Sequence, residues 1–243
     1  MGAVTLAGAA GAQVVAHAHN DYEHARPLLD ALEHGFTSIE ADVYLVDGQL
    51  LVAHARDSVV AGRTLESMYL APLREHVQRT GATKLILLID VKQDAEGSWV
   101  VLDSLLRRYA DMLTIYAGGD VREGAVTAII SGERAISTMR RQRMRFAGVD
   151  GRIADLAAKP RASRVLMPLV SDSWERIIKS GKDPRREVER VVALAHANEQ
   201  RVRFWATPDD ESLWQMLVGA GVDLIGTDDL PRLQAFLGLR PRP

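Results

Sequence analysis

The sequence contains no cysteine. That excludes disulfides, thiolate metal centres and a cysteine nucleophile, and it leaves a cytoplasmic and an exported location equally open. Long apolar runs are missing too: no stretch of about 18 residues reads as a membrane span. Aromatic residues make up only 5% of the chain, which argues against loops of exposed rings gripping a lipid surface. Nor does one sign of charge dominate. The 30 Lys and Arg against 32 Asp and Glu leave a formal charge of −2, so there is no overall basic footprint for nucleic acid or an anionic membrane. The one local cluster, Arg140, Arg141, Arg143 and Arg145, is read as a solvated helix end.

What is present is a long chain with a regular alternation. At 243 residues and 47% hydrophobic content, it suits a single α/β barrel better than an average small domain. Residues 1–12 are small and featureless and lack the basic start of a signal peptide. They are read as a disordered segment, or the remnant of a signal or tag, ahead of one domain over 13–243. Short β-rich runs are expected at 13–17, 37–42, 85–90, 126–131, 145–149, 165–170, 202–206 and 224–227. Helical patterns lie at 26–34, 64–79, 99–109, 133–141, 184–198, 211–220 and 230–237. Gly35 and Gly221 sit just past helix ends, Asp183 and Asp209 at helix starts, and Asp228 is read as a cap on the last helix. No glycine-rich dinucleotide turn follows the first strand. The alternation therefore predicts a closed (β/α)8 TIM-type barrel rather than an open α/β sheet.

Barrel active sites are built where the strands end at the C-terminal face. The first strand runs into His17-Ala18-His19-Asn20-Asp21-Tyr22, the second ends in Glu40-Ala41-Asp42, and the third in Asp90-Val91-Lys92. Asp47-Gly48 marks a hairpin that leads to His54. A lone Glu-x-Asp is often just a polar strand terminus, but Glu40 and Asp42 lie on the same side of a strand. Two adjacent carboxylates repel unless a cation sits between them. With Asp90 as a third oxygen ligand and no cysteine, Mg²⁺ or Ca²⁺ is favoured over Zn²⁺. Lys92 is placed to hold a phosphate oxygen or, more plainly, to pair with those acids. His17, His19 and His54 fall beside the carboxylates, and a histidine pair is what phosphodiester displacement needs as base and acid. His24, His34, His76 and His196 fall in helical patterns and are read as surface or packing residues. Ser131-Gly132, Asp150-Gly151-Arg152, Asp172, Thr207 and Asp209 also sit on this rim, where turn formation is the better account of the glycine pairs.

Taken together, Ala16-His17, Gly35-x-x-x-Ile39-Glu40-x-Asp42-Val43 and Asp47-Gly48-x-Leu50-x-Val52-x-His54 resemble the glycerophosphodiester phosphodiesterase family. That family lies within the superfamily of phosphatidylinositol-phospholipase-C-like phosphodiesterases. Its His-x-His-Asn-Asp-Tyr branch fits best, with Arg26-Pro27-Leu28-x-Asp30-Ala31-Leu32 following. Phe204-Trp205-Ala206-Thr207 resembles the seventh strand and 221–228 the closing strand, so the resemblance runs from about residue 14 to 237. It implies a (β/α)8 barrel, a Mg²⁺ or Ca²⁺ ion held by Glu40, Asp42 and Asp90, and acid/base work by two histidines. A substrate hydroxyl next to the phosphate often attacks first, giving a cyclic phosphate. Lys92 would meet the phosphoryl oxygens, and Trp205 would wall the pocket or pack in the core.

Several positions depart from the pattern. The usual His-Arg-Gly is here His17-Ala18-His19, so the phosphate-holding arginine is absent and His19 or Asn20 takes part of its task. Aligning Val14-Val15-Ala16 makes His17 the catalytic histidine, while aligning Asn20-Asp21-Tyr22 makes it His19. Ala55 stands where the family continues with Asp. These departures bear on which phosphodiester is cleaved, not on the metal triad. Two alternatives stay open: a phospholipase D or sphingomyelinase D-like enzyme, and a catalytically weak barrel that binds a phosphoryl ligand. The expected substrate is a small phosphodiester or lipid head group, with no nucleic-acid partner and the chain acting as a monomer.

Overall fold

The computed structural model describes residues 14–158 and 162–240, so the expectation for residues 1–12 lies outside the described residues. Eight parallel strands close into a barrel: β1 (Val15–Ala18), β2 (Ser38–Val46), β3 (Leu85–Val91), β4 (Val126–Gly132), β5 (Ala147–Gly151), β6 (Leu169–Ser173), β7 (Arg201–Trp205) and β8 (Leu224–Thr227). Closure is made by β1, which pairs with β8 through Val15↔Leu224 and with β2 through His17↔Ser38. The helices that return the chain are α1 (Leu29–Glu33), α2 (Ala71–Thr80), α3 (Ala95–Arg107), α4 (Ile136–Arg141), α5 (Ile153–Ala157), α6 (Trp174–Lys179), α7 (Pro184–His196), α8 (Glu211–Gly219) and α9 (Leu230–Leu237). The fold is the TIM-type barrel that the alternation predicts.

Strand alternation divides each strand between two environments. Ile39, Ala41 and Val43 of β2, Leu87 and Ile89 of β3, and Ala128 and Ile130 of β4 belong to the main core. There they meet residues such as Trp99 and Leu102 of α3, Val188 of α7 and Leu233 of α9. The opposite parity forms a small separate cluster of Ile86, Leu88, Ile129, Leu169 and Leu224, the floor of the barrel. Above that floor the same parity turns polar, at Glu40, Asp42, Asp90, Ser131, Asp150, Ser171 and Arg203. Each Leu or Ile buried in the outer layer stabilises the fold by roughly 1.5–3 kcal/mol. Cohesion thus comes from the outer layer, and the upper interior is left for polar groups.

Beyond the barrel wall, β2 continues into an antiparallel hairpin with Gln49–Val52. Its turn places Asp47 at φ 48° and Gly48 at φ 75°, the left-handed pair that a two-residue hairpin turn requires.

The structure corrects several local expectations. The sixth strand is Leu169–Ser173 rather than 165–170, because the backbone N–H groups of Leu166 and Met167 turn back onto Ser163 O (3.0 and 2.9 Å) and Pro168 has none to give. The fifth strand is Ala147–Gly151, whereas Met144–Arg145 joins a separate small sheet with Ile115–Ala117 and Asp120–Arg122. Arg145 is not solvated: it is buried, donates from Nε to Ala147 O at 3.1 Å and lies over the Tyr116 ring. The caps of α8 and α9 fall one residue later than expected, on Asp210 and Asp229, while Asp183 does cap α7. That shift frees Asp209 and Asp228 for the barrel mouth. The pattern at 64–79 splits into a π-helical turn (Glu66–Leu70) and α2, and the short helices α5 and α6 carry no strong sequence signal.

Candidate active site

Each residue of the His17–Tyr22 segment has a partner on another element or close by. His17 is fully buried; its Nδ1 lies 2.8 Å from Ser38 Oγ and its Nε2 2.8 Å from Glu40 Oε2. An ionised Glu40 only accepts, so Nε2 carries the proton and Nδ1 accepts from the serine. The ring is then neutral, in line with a pKa lowered to about 4 by burial and next by Arg203. Arg203 of β7 donates from Nη2 to the same Glu40 Oε2 at 2.6 Å, with only 4% of its side chain exposed. Burial alone would raise the Glu40 pKa, but Arg203 and His17 outweigh it and hold the carboxyl well below the usual range.

Asp42 Oδ2 lies 2.6 Å from Tyr22 Oη and 2.7 Å from Lys92 Nζ, and Lys92 reaches Asp90 at 3.5 Å. Burial raises the pKa of Asp42 despite Lys92, and raises that of Asp90 to about 6. Oxygens of Glu40, Asp42 and Asp90 converge within 4.8 Å of one another. Among the described residues, Asp42 Oδ1 is buried with no hydrogen-bond partner, and no hydrogen bond ends on Glu40 Oε1. Three carboxylates against Lys92 and Arg203 leave one negative charge in excess. An all-oxygen donor set with an orphaned buried carboxylate oxygen fits a hard divalent cation. Gly132 makes room for this arrangement, since a Cβ there would occupy the space of Asp90 Oδ1.

His19 and His54 stand on the open side. His19 Nδ1 lies 2.8 Å from Asp228 Oδ1 with a third of its side chain exposed. Burial pulls the His19 pKa down, but the Asp228 hydrogen bond helps carry it above its ordinary value. His54, carried by the hairpin, is 61% exposed, 3.0 Å from Tyr22 Oη and 3.8 Å from Asp42 Oδ2. Asn20, at φ 47°, sets its Oδ1 2.6 Å from Tyr22 Oη. Trp205 is exposed rather than a core residue. With His19, Arg203, Thr207, Asp209 and Asp228 it lines a cavity of about 130 Å³.

The structure thus brings Glu40, Asp42 and His17, all buried, together with the partly buried Asp90 and Lys92 into one cluster, with His19, His54, Asn20 and Trp205 at its edge. Sequence reasoning missed Arg203, although Arg201-x-Arg203-x-Trp205 was a signal: charge at alternate positions of a buried strand. It also missed Tyr22 as a contact of Asp42, and Asp228, taken for a helix cap, as the partner of His19. Asp150 is no turn residue either. It is a buried strand residue bonded to Ser131, Ser171 and Arg152. His34 and His196, read as surface or packing residues in helical patterns, lie at helix ends, bonded to Gln234 and Asp223.

Comparison with known proteins agrees with this fold. A family model described as AIM6-like phosphodiesterase domain matches residues 9–84, and one described as Glycerophosphoryl diester phosphodiesterase family matches residues 201–231. The chain is 30% identical over 264 residues to the altered inheritance of mitochondria protein 6 homolog of Arthroderma benhamiae, across 90% of this chain and 82% of that one. The fold is similar to a glycerophosphodiester phosphodiesterase from Parabacteroides distasonis, with a TM-score of 0.58, 16% identity and coverage of 94% and 98% of the two chains. It is similar as well to a Ca²⁺-dependent phosphatidylinositol-specific phospholipase C from Streptomyces antibioticus, with a TM-score of 0.63, 13% identity and coverage of 96% and 98%. At such low identity these two structures speak for the fold alone.

Proposed function

The chain belongs to the family of altered inheritance of mitochondria protein 6 homologues, within the glycerophosphodiester phosphodiesterase and phosphatidylinositol-phospholipase-C-like superfamily, and from that premise we propose that it hydrolyses phosphodiesters with a divalent cation. The observation that carries the proposal is the convergence of Glu40, Asp42 and Asp90 beneath two solvent-facing histidines.

Glu40, Asp42 and Asp90 would hold Mg²⁺ or Ca²⁺, and the bound ion would supply Lewis-acid stabilisation of charge on the phosphoryl oxygens. Lys92 already neutralises Asp42 and stands ready to share itself with an incoming phosphate oxygen. His17 is sealed from solvent, with both ring nitrogens engaged, so its part is to orient Glu40 together with Arg203. The proton transfers fall to His19 and His54. Asp228 stabilises the protonated form of His19, which suits it to protonate the leaving oxygen. His54 Nδ1 is turned to Tyr22, leaving Nε2 to take the proton from the attacking hydroxyl or water. One P–O bond forms as the nucleophile loses its proton to His54, and another breaks as the departing oxygen gains one from His19.

The test is turnover of a phosphodiester panel in Mg²⁺, Ca²⁺ or chelator. Activity is expected only with the cation, and a fall of about 10²-fold or more is expected for Glu40→Ala and for His54→Ala. Chelator-resistant turnover, or a fully active Glu40→Ala, overturns the mechanism. Loss in His19→Gln with much smaller loss in His17→Gln would support the division of roles between them.

A further inference from the structure

The side of the barrel mouth built by β4, β5 and β6 carries a second polar cluster. Asp150 is fully buried, and its Oδ2 accepts from Ser131 Oγ at 2.8 Å, from Ser171 Oγ, and from Arg152 Nη1 at 2.7 Å. Arg152 is therefore charge-paired. Arg134, in the loop after β4, is not. Its Nε donates to Gly132 O at 3.2 Å and its Nη1 to Asp150 O at 2.5 Å. No carboxylate lies within ion-pair distance of it among the described residues. Arg152 Nη1 also reaches Asp150 O, at 3.3 Å, so both guanidinium groups crowd one carbonyl oxygen. Burial, and next the charge of Arg152, lower the Arg134 pKa, yet a guanidinium stays protonated.

Asp155 and Glu133 act on Arg134 through space and do not pair with it. Asp155 accepts from Arg152 N at 2.8 Å, Glu133 is exposed, and Asp150 is turned fully inward. Of the two guanidinium groups Arg152 is ion-paired and Arg134 is not, and both side chains are only partly buried. The position of the pair is equally telling. Ser131 is the register partner of Asp90, and Gly132, whose carbonyl receives Arg134 Nε, abuts the Asp90 carboxylate. Backbone dimensions then place the Arg134 guanidinium within about 10 Å of Asp90.

We infer that Arg134, backed by Arg152, is a second oxyanion subsite, and that the substrate is a phosphodiester bearing a further anionic group, phosphate or carboxylate, on its alcohol portion. Arginine presents paired N–H donors that match either oxyanion. The inference rests on the phosphodiesterase reading for its substrate, though not for its anion.

The experiment compares three diesters that share one phosphodiester and differ in a terminal hydroxyl, phosphate or carboxylate. Wild type, Arg134→Met and Arg134→Lys are assayed once their melting temperatures show that they fold. The kcat/KM ratio of an anionic over the plain diester is expected to fall about tenfold in Arg134→Met and to recover in Arg134→Lys. Which anionic diester has the higher ratio identifies the group preferred. A ratio that Arg134→Met leaves unchanged overturns the subsite. A second measurement needs no turnover: inorganic phosphate is titrated calorimetrically in EDTA into wild type and Arg134→Met. Binding that depends on Arg134 upholds the subsite even if no diester is cleaved, in which case the phosphodiesterase reading fails alone. Cleavage with both ratio and phosphate binding independent of Arg134 sinks the subsite alone.

Discussion

Glu40 and Asp150 stand in different sectors of one barrel mouth, and each is a buried carboxylate that holds a guanidinium through a single oxygen, at 2.6 and 2.7 Å. Their surroundings have opposite sign. Around Glu40 the uncompensated charge is carboxylate, from Asp42 and Asp90; around Asp150 it is guanidinium, from Arg134. On the two proposals, the same local pairing sits beside a cation site in one place and an anion subsite in the other. A buried ion pair alone says little about function, because its own charges cancel. What is left over beside it decides which ligand is drawn in.

The comparison breaks most readily at its arginines. Removing one partner of a buried pair costs about 3–5 kcal/mol, and Arg203→Met is expected to lose that much in chelator, since only Lys92 would remain against three carboxylates. Added Ca²⁺ should restore much of the loss. Arg152→Met should cost less and ignore Ca²⁺, because Asp150 keeps the hydroxyl groups of Ser131 and Ser171. Chemical unfolding with and without the cation measures both, and equal losses indifferent to Ca²⁺ would sink the contrast.

A third buried carboxyl, Asp21, serves as the reference, with no salt-bridge partner among the described residues. Its Oδ2 accepts from Leu28 N at 2.6 Å and Tyr69 Oη at 2.9 Å, and burial raises its pKa from 3.8 to about 6. The folded state then keeps its proton longer than the unfolded state does. Stability from this group is full below about pH 4 and declines until about pH 6, above which both states are ionised. The unfolding free energy of wild type, compared with Asp21→Asn, should fall by up to about 3 kcal/mol across that window. A flat difference between pH 3.5 and 6.5 would show that Asp21 is not perturbed.

The smallest effect belongs to Gly132. A Cβ there would fall 2.1 Å from Asp90 Oδ1 and 2.3 Å from Val91 O, at φ 65°, so Gly132→Ala is expected to shift the end of β3 together with Asp90 and weaken cation affinity about 10- to 100-fold, as read by calorimetry with circular dichroism reporting the fold. An unchanged affinity would remove Asp90 from the ligand set.

Much of this was legible in the residues. The eight strands announce themselves as β-rich runs, and Glu40, Asp42, Asp90 and Lys92 stand where two of those runs stop. Alternation alone puts the two acids of β2 on one side. What could not be read is what depends on partners distant in sequence. Arg203 meets Glu40 across 163 positions, and His19 meets Asp228 across 209, so neither pairing leaves a local trace. Capping chemistry misled at Asp228, because two consecutive aspartates each suit a helix start and only packing assigns one to the cap. The seal around His17 is likewise a matter of burial, which spacing does not report.

The hairpin beyond β2 has a further consequence for anyone who purifies this protein. Residues 38–46 run as one strand that carries Ser38, Glu40 and Asp42 on one side, and its hairpin partner Gln49–Val52 sets His54 two residues past its end. A slip of one residue in that register would turn the whole set away from the barrel interior together. On the proposed assignment, misfolded molecules would be silent rather than slow, so the specific activity of a preparation would count its correctly registered chains.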